Sequence, residues 1–234
     1  MFAIIIMLPQ SLTLEALKAD LVSEMEIEQL FQKHIVDGTS YFFSENIKDI
    51  NKEYVLRHEL AQLLNLSIND IVIVGSAKLG FSVKDEKFLR FDERFIATNK
   101  KKNRSDIDIA IVSRKLFESQ TELIFNICDH FDGIWEYQNW RYNLYYPDEQ
   151  TLRQKGGHSL LQKYVMNLAR GWFRVDYSPS IYINSAPWKK LVRKWSDALD
   201  RQIAIAIYSD WRYLKHYQMK NLETLRIKTR RLEI

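Results

Sequence analysis

The spacing of apolar residues along the chain predicts helices that alternate with short strands. Apolar residues recur at helical spacing over 11–35 and 51–65, and Ser11 or Thr13 can cap the first helix. Two β-branched runs, IVIVG at 71–75 and DIDIAIV at 106–112, are typical of buried strands. The segment between them is polar over 84–104 and ends in a run of cations.

The second half of the chain is expected to be mostly helical. Helices are predicted over 115–130, 160–170, 188–199 and from 210 to about 228, and strands over 133–138 and 201–208. This order predicts an α/β or α+β fold, with a mixed sheet flanked by helices. The turn signal YYPDEQ divides the chain into a core, 1–145, and a mainly helical part, 146–234, which can also complete the sheet.

Composition excludes several classes of protein. Of the 234 residues, 46% are hydrophobic and 13% aromatic, which is too many for a disordered chain. The single cysteine, Cys128, excludes a disulfide scaffold and a Cys-rich zinc site. The net charge of +4 permits an anionic partner without requiring a large nucleic-acid surface.

The N-terminal apolar run, FAIIIML at 2–8, is too short to cross about 30 Å of hydrocarbon. It also lacks the basic start and the small-residue cleavage site of a secretory signal. We therefore expect a cytoplasmic protein without a membrane partner, whose natural start is Met1 or Met7.

Asp106 and Asp108 are the first candidates for chemistry. Residues two apart on a strand project to the same face, so the two carboxylates lie side by side. Carboxylates this close repel each other, and each is costly to desolvate. A divalent cation relieves both costs, and oxygen ligands suit Mg²⁺ or Mn²⁺. The alternative is a solvated acid pair at an exposed strand end.

Gly75 and Ser76 directly follow the first predicted strand. Glycine lets a ligand approach the backbone closely, and the exposed N–H groups with the Ser76 hydroxyl suit the phosphates of a nucleotide. Lys78 would add a positive charge. The alternative is a simple turn.

Taken together, a strand, Gly75-Ser76, and then Ser105-Asp106-Ile-Asp108 on the next strand resemble the nucleotidyltransferase superfamily related to DNA polymerase β. The resemblance covers roughly residues 52–130, about a third of the chain. It implies that Asp106 and Asp108 hold Mg²⁺ or Mn²⁺. It also implies that Gly75, Ser76, Lys78 and Ser105 bind a nucleoside triphosphate such as ATP, and that a nucleoside monophosphate passes to a hydroxyl acceptor. Lone bacterial members suggest a toxin–antitoxin or phage-defence setting.

The family pattern also implies a third acid on a later strand. Asp176, in WFRVDYS, is preferred because its apolar neighbours fit a strand, and Glu136, in GIWEYQ, is the alternative. Asp106 follows Gly75 by 31 positions, a gap seen in larger members.

The long insertion between the two motifs ends in cations that suit a triphosphate tail, an RNA or simply solvent: Lys100, Lys101, Lys102 and Arg104. The last helix offers a second basic surface for RNA or a partner protein: Lys215, Lys220, Arg226, Lys228, Arg230 and Arg231. The competing function is a catalytically idle protein of the same fold, which senses nucleotides or binds a partner.

Overall fold

The computed structural model describes residues 14–82, 89–127, 160–178 and 186–232, and the structural statements below concern those residues. They form helices and strands around a mixed sheet, which confirms the predicted α/β class. The helices are α1 Leu14–Val22, α2 Ile27–Phe31, α3 Ile50–Leu64, α4 Gly75–Leu79, α5 Glu93–Thr98, α6 Arg114–Ile127, α7 Leu160–Ala169, α8 Lys189–Leu199 and α9 Trp211–Leu232. The strands are β1 Ile71–Val74, β2 Ile107–Val112, β3 Trp172–Arg174 and β4 Ile203–Tyr208.

The four strands lie in the order β1-β2-β4-β3, so the second half of the chain supplies two of them. β3 and β4 are antiparallel, with Trp172 opposite Tyr208 and Arg174 opposite Ala206. Ser113, directly after β2, donates its N–H to the carbonyl of Tyr208 at the end of β4 (2.8 Å). Because the carboxyl ends of β2 and β4 meet, these two strands run parallel.

Alternation along the strands gives the sheet two different faces. One face carries buried isoleucines and Phe173, whose ring packs against Phe117 of α6 and Tyr164 of α7, with ring centres 6.2 and 5.9 Å apart. This face forms part of the core. The other face carries Asp108, Ala110, Ala204, Ala206 and Arg174, together with Trp172 stacked on Tyr208 (5.7 Å between ring centres).

The chain divides into two compact units. Unit 1 comprises Met1–Leu56, Ile73–Ile107 and Tyr217–Ile234, and unit 2 comprises Arg57–Val72 and Asp108–His216. The predicted boundary near residue 145 lies outside the described residues, as does the strand predicted over 133–138.

Unit 1 is held by aromatic packing and by contacts from α9. Phe42 lies between Phe43 and Phe91, with ring centres 5.1 and 5.5 Å away. Arg226 of α9 donates to the carbonyl of Leu21, in the last turn of α1, and to that of Met25, in the connection to α2.

In unit 2, the indole of Trp195 on α8 donates to Glu59 of α3 at 2.7 Å, and the amine of Lys194 donates to the same carboxylate at 2.9 Å. These bonds fix α8 against α3.

The helix predicted over 11–35 is interrupted. α1 ends at Val22, α2 begins at Ile27, and a π-helical segment continues over Gln32–Asp37. The hydroxyl of Ser23 donates to the carbonyl of Asp20 (2.7 Å) and accepts from the N–H of Met25 (3.2 Å). A side chain that bonds the local backbone in this way competes with the helix ladder, so the helix ends there.

None of the helices in the described ranges combines the length and the apolar character that crossing a membrane requires.

Candidate functional site

Asp106 directly precedes β2, and Asp108 is the second residue of that strand. Both side chains are half-buried and alternate with Ile107 and Ile109, which are fully buried. Alternation along the strand places the Asp108 carboxylate on the side of the backbone away from these isoleucines. Asp108 thus lies on the predicted strand and Asp106 directly precedes it, and their action as a pair stays a prediction.

The chemistry of this donor pair fits a small divalent cation. Mg²⁺ usually keeps several waters and takes one or two carboxylates together with substrate phosphates. Asp106 and Asp108 supply that number of carboxylates. Within the described ranges, no group of three or more His, Cys, Asp or Glu side chains is placed to hold a metal ion. A third protein ligand therefore stays a prediction.

Asp176 lies in a 3-10 turn, Val175–Tyr177, and not on a strand, because β3 ends at Arg174. Arg174 donates from Nε to Oδ1 of Asp176 and from Nη2 to Oδ2, both at 2.9 Å. Both oxygens of the candidate third acid are thereby engaged in a bidentate ion pair. Its role as a ligand stays a prediction, and Glu136 lies outside the described residues.

The surroundings of Arg174 connect it to Asp108. Burial alone would lower the pKa of Arg174, but the hydrogen bond and charge of Asp176, with the charges of Tyr177 and Asp108, raise that pKa above its ordinary value. The guanidinium also lies over the Tyr177 ring, 4.9 Å from its centre. Arg174 is therefore a permanent, fixed cation within the electrostatic reach of Asp108.

The sheet explains this proximity. The bond from Ser113 to Tyr208 sets a register in which Asp108 lies opposite Ala204 on β4, and Arg174 lies opposite Ala206. Side chains opposite each other across neighbouring strands share one face. In unit 2, the acid and the guanidinium thus share one sheet face, with Ala204 and Ala206 of β4 between their strands.

The turn after β1 is tight. Gly75 begins α4 with a φ of 69°, a left-handed conformation that favours glycine. Ser76 follows it and is half-buried. The N–H groups in the first turn of a helix have no partner within the helix, so they can donate to a ligand. The geometry is compatible with the predicted phosphate contact.

Lys78 and Ser105 have structural partners in unit 1. Lys78 is 4% exposed, and its amine donates to the carbonyl of Gly38. Ser105 exchanges two hydrogen bonds with Asp92: its N–H donates to Oδ1 at 2.9 Å, and its hydroxyl accepts from the Asp92 N–H at 3.0 Å. These contacts account for both residues within the fold, and their binding roles stay predictions.

The basic residues predicted to face a partner lie in two places, the loop at 100–104 and the last helix, α9. Lys100 and Lys101 are exposed, whereas the guanidinium of Arg104 lies 4.4 Å from the centre of the Phe95 ring. On α9, Arg226 and Arg230 donate to backbone carbonyls at the end of α1. Part of the charge predicted to face a partner therefore stabilises the fold of unit 1.

Sequence reasoning did not single out Arg174. The signal that was available is the spacing Arg-Val-Asp at 174–176, because residues two apart near a strand end can pair on one side of the backbone.

Comparisons of the chain with protein-family models, with curated proteins and with solved structures found no match. We therefore base the assignment of function on the acids of β2, the turn after β1 and the ion pair after β3.

Proposed function

We propose that this protein is a metal-dependent nucleotidyltransferase, which moves a nucleoside monophosphate from a nucleoside triphosphate to a hydroxyl group. The observation that carries the proposal is the acid pair at the start of β2, Asp106 and Asp108. Two further features support it: β1 neighbours β2 in the sheet, and β1 runs directly into the Gly75-Ser76 turn.

Each group has a definite task in this reaction. Asp106 and Asp108 would hold Mg²⁺ or Mn²⁺, and the backbone at Gly75 and the hydroxyl of Ser76 would orient the triphosphate. When bound, the cations would lower the pKa of the acceptor hydroxyl and stabilise the leaving pyrophosphate. The new bond joins the acceptor oxygen to the α-phosphorus, the bond to pyrophosphate breaks, and the acceptor proton leaves to water.

The first test replaces the acids. Asp106→Asn and Asp108→Asn are each expected to abolish pyrophosphate release and to weaken Mn²⁺ binding, measured by isothermal titration. Release should be assayed with each of the four triphosphates and with RNA, protein or nucleotide as acceptor. Glu122→Gln, which removes an exposed acid of α6, is the matched control. Full activity in the double Asn variant would contradict the proposal.

The second test concerns the donor. Ser76→Ala is expected to weaken triphosphate binding, because it removes one hydroxyl without changing the backbone. Gly75→Val should also block binding, but it forces a β-branched residue into a left-handed conformation as well. Unchanged affinity for all four triphosphates in Ser76→Ala would remove that hydroxyl from the site.

A second candidate function is a catalytically idle protein with this type of sheet, which binds nucleotides or a partner. The bidentate bond between Arg174 and Asp176 favours it, because a carboxylate with both oxygens engaged is poorly available to a metal.

Pyrophosphate release by the wild type separates the two candidates, and Asp176→Asn then tests the third acid. In the enzyme, losing a third acid should slow transfer about 100-fold or more, with nucleotide affinity little changed. In the idle protein, the wild type releases no pyrophosphate and still binds nucleotide. Glu136→Gln tests the alternative acid in the same assay.

Cellular setting and acceptor are extensions of the first proposal. By resemblance, we propose a toxin–antitoxin or phage-defence setting, with RNA, a protein or a nucleotide as acceptor. The cytoplasmic location is a separate proposal, which follows from the sequence argument about its N-terminal apolar run.

A further inference from the structure

α8 has one buried side and one strongly basic side. Trp195 and Leu199 are buried, 8% and 5% exposed, and so is Trp188, which precedes the helix. The opposite side carries four exposed cations, which we call the basic face of α8: Lys189, Lys190, Arg193 and Lys194. All of these residues belong to unit 2.

The cations form two rows along the helix. Lys189 and Arg193 are four residues apart, as are Lys190 and Lys194, so each pair lies on neighbouring turns with Cβ atoms about 5–6 Å apart. Like charges at this spacing destabilise a helix. The basic face is therefore unfavourable for α8 taken alone.

The direction of the helix dipole makes this arrangement less favourable still. The first turn of α8 contains Lys189 and Lys190 and no acid, and the last turn contains Asp197 and no basic residue. A helix is stabilised by the reverse distribution, with acids first and cations last. When a sequence places charges unfavourably for a helix and no stabilising contact compensates for them, the reason is often function.

Two of the four cations, Lys189 and Lys194, interact with other groups of the protein. The amine of Lys194 pairs with Glu59, which holds α8 in place. Within the described ranges, no hydrogen bond or ion pair engages Lys190 or Arg193. Lys190 and Arg193 thus present their charges to solvent from a helix that Lys194 and Trp195 hold against Glu59.

We propose that the basic face of α8 binds the phosphate backbone of a single-stranded nucleic acid. Regularly spaced lysine and arginine side chains are the groups that contact phosphates in such complexes, and two rows one turn apart suit successive phosphates of a strand. A lipid surface fits less well, because an interfacial helix inserts its apolar side, whereas Trp195 and Leu199 are buried within the protein. Since this contact needs neither metal nor triphosphate, it does not depend on the proposed catalysis.

The test measures binding of a short fluorescent RNA of mixed sequence to the full chain by anisotropy, over a range of salt, without triphosphate or Mg²⁺. Lys190→Gln combined with Arg193→Gln leaves the bond from Lys194 to Glu59 intact. We expect affinity to fall about tenfold or more, and the slope of log affinity against log salt to become shallower by about 1.4 for two lost contacts.

The matched control is Arg114→Gln with Lys115→Gln, an exposed pair in the first turn of α6 in the same unit. It removes the same charge and should change neither affinity nor slope. An equal loss of RNA affinity in the control, or no RNA binding by the wild type, would overturn the proposal. So would a double variant that binds RNA as the wild type does but has lost binding to phosphatidylserine vesicles, measured in parallel. Circular dichroism should show that both variants remain folded, because the side chains removed are exposed and the control loses in addition only the surface ion pair of Arg114 with Glu118.

Discussion

His34 and Asp20 illustrate how burial and charge compete at a single residue in unit 1. Nε2 of His34 lies 2.7 Å from Oδ2 of Asp20, which also pairs with Lys33 at 2.7 Å. Burial lowers the pKa of His34, Asp20 raises it, and the charges of Lys33 and Lys78 lower it, so the net pKa lies below 6.5. Burial would raise the pKa of Asp20, but bonds from Lys33 and His34 bring it below 3.8.

The His34 shift predicts a dependence of stability on pH. Because the folded state disfavours the charged imidazole, the unfolded chain binds more protons below pH 6.5. The stabilisation is complete above pH 6.5 and is lost as the pH falls below it; the Asp20 contribution is lost only below pH 3.8. In His34→Gln, the free energy of unfolding should therefore depend less on pH than in the wild type, over about one pH unit on either side of 6.5. Urea titrations at these pH values measure it, with exposed His216→Gln as the control. An unchanged slope in His34→Gln would contradict the prediction.

At the scale of elements, the connection from α7 to β3 depends on Gly171. This residue has a φ of 77°, and its carbonyl accepts from both the N–H and the hydroxyl of Ser209, at 2.9 and 3.1 Å. A Cβ at this position would lie 2.6 Å from the ring of Tyr213. The turn that leads into Arg174 and Asp176 is thus restricted to glycine by backbone conformation and by packing.

Gly171→Ala is expected to lower the free energy of unfolding by about 2–5 kcal/mol. The left-handed backbone costs about 1–2 kcal/mol for a residue with a side chain, and overpacking against Tyr213 costs about 1–3 kcal/mol. Urea denaturation measures the loss. Adding Tyr213→Ala should restore only the steric part, as judged against Tyr213→Ala alone. A loss well under about 1 kcal/mol would show that the turn tolerates a side chain.

At the scale of the whole molecule, unit 1 is assembled from three separate stretches of chain. Its last stretch, Tyr217–Ile234, contains buried Leu222 and Leu225 and the Arg226 guanidinium that binds carbonyls at the end of α1. The order of segments along the chain therefore does not correspond to the order in which they pack.

Truncation after His216 should destabilise unit 1 more than unit 2. Amides of α1 are expected to lose protection from hydrogen exchange, because the truncation removes Arg226, which binds the last turn of this helix, together with its packing partners. Amides of β4, which lies in unit 2, should keep more of theirs. Arg226→Ala should reproduce part of the effect, and Arg212→Ala, an exposed residue of α9 in unit 2, should not. Full protection of α1 in the truncated chain would contradict the expectation.

The sequence by itself determined the elements whose patterns are local. The isoleucine runs of β2 and β4 and the helical stripes of α3, α6 and α8 were predicted to within a few residues, because side-chain periodicity depends only on nearby residues. The spacing of Asp106 and Asp108 and the glycine that ends β1 were likewise readable from the sequence.

Tertiary structure decided everything that depends on which distant segments meet. It placed β4 between β2 and β3, and so put alanines between Asp108 and Arg174. It also ended β3 at Arg174, which turned Asp176 from a predicted strand residue into the partner of that arginine. Strand order and ion pairing depend on the closure of long loops and on burial, and no local pattern encodes either.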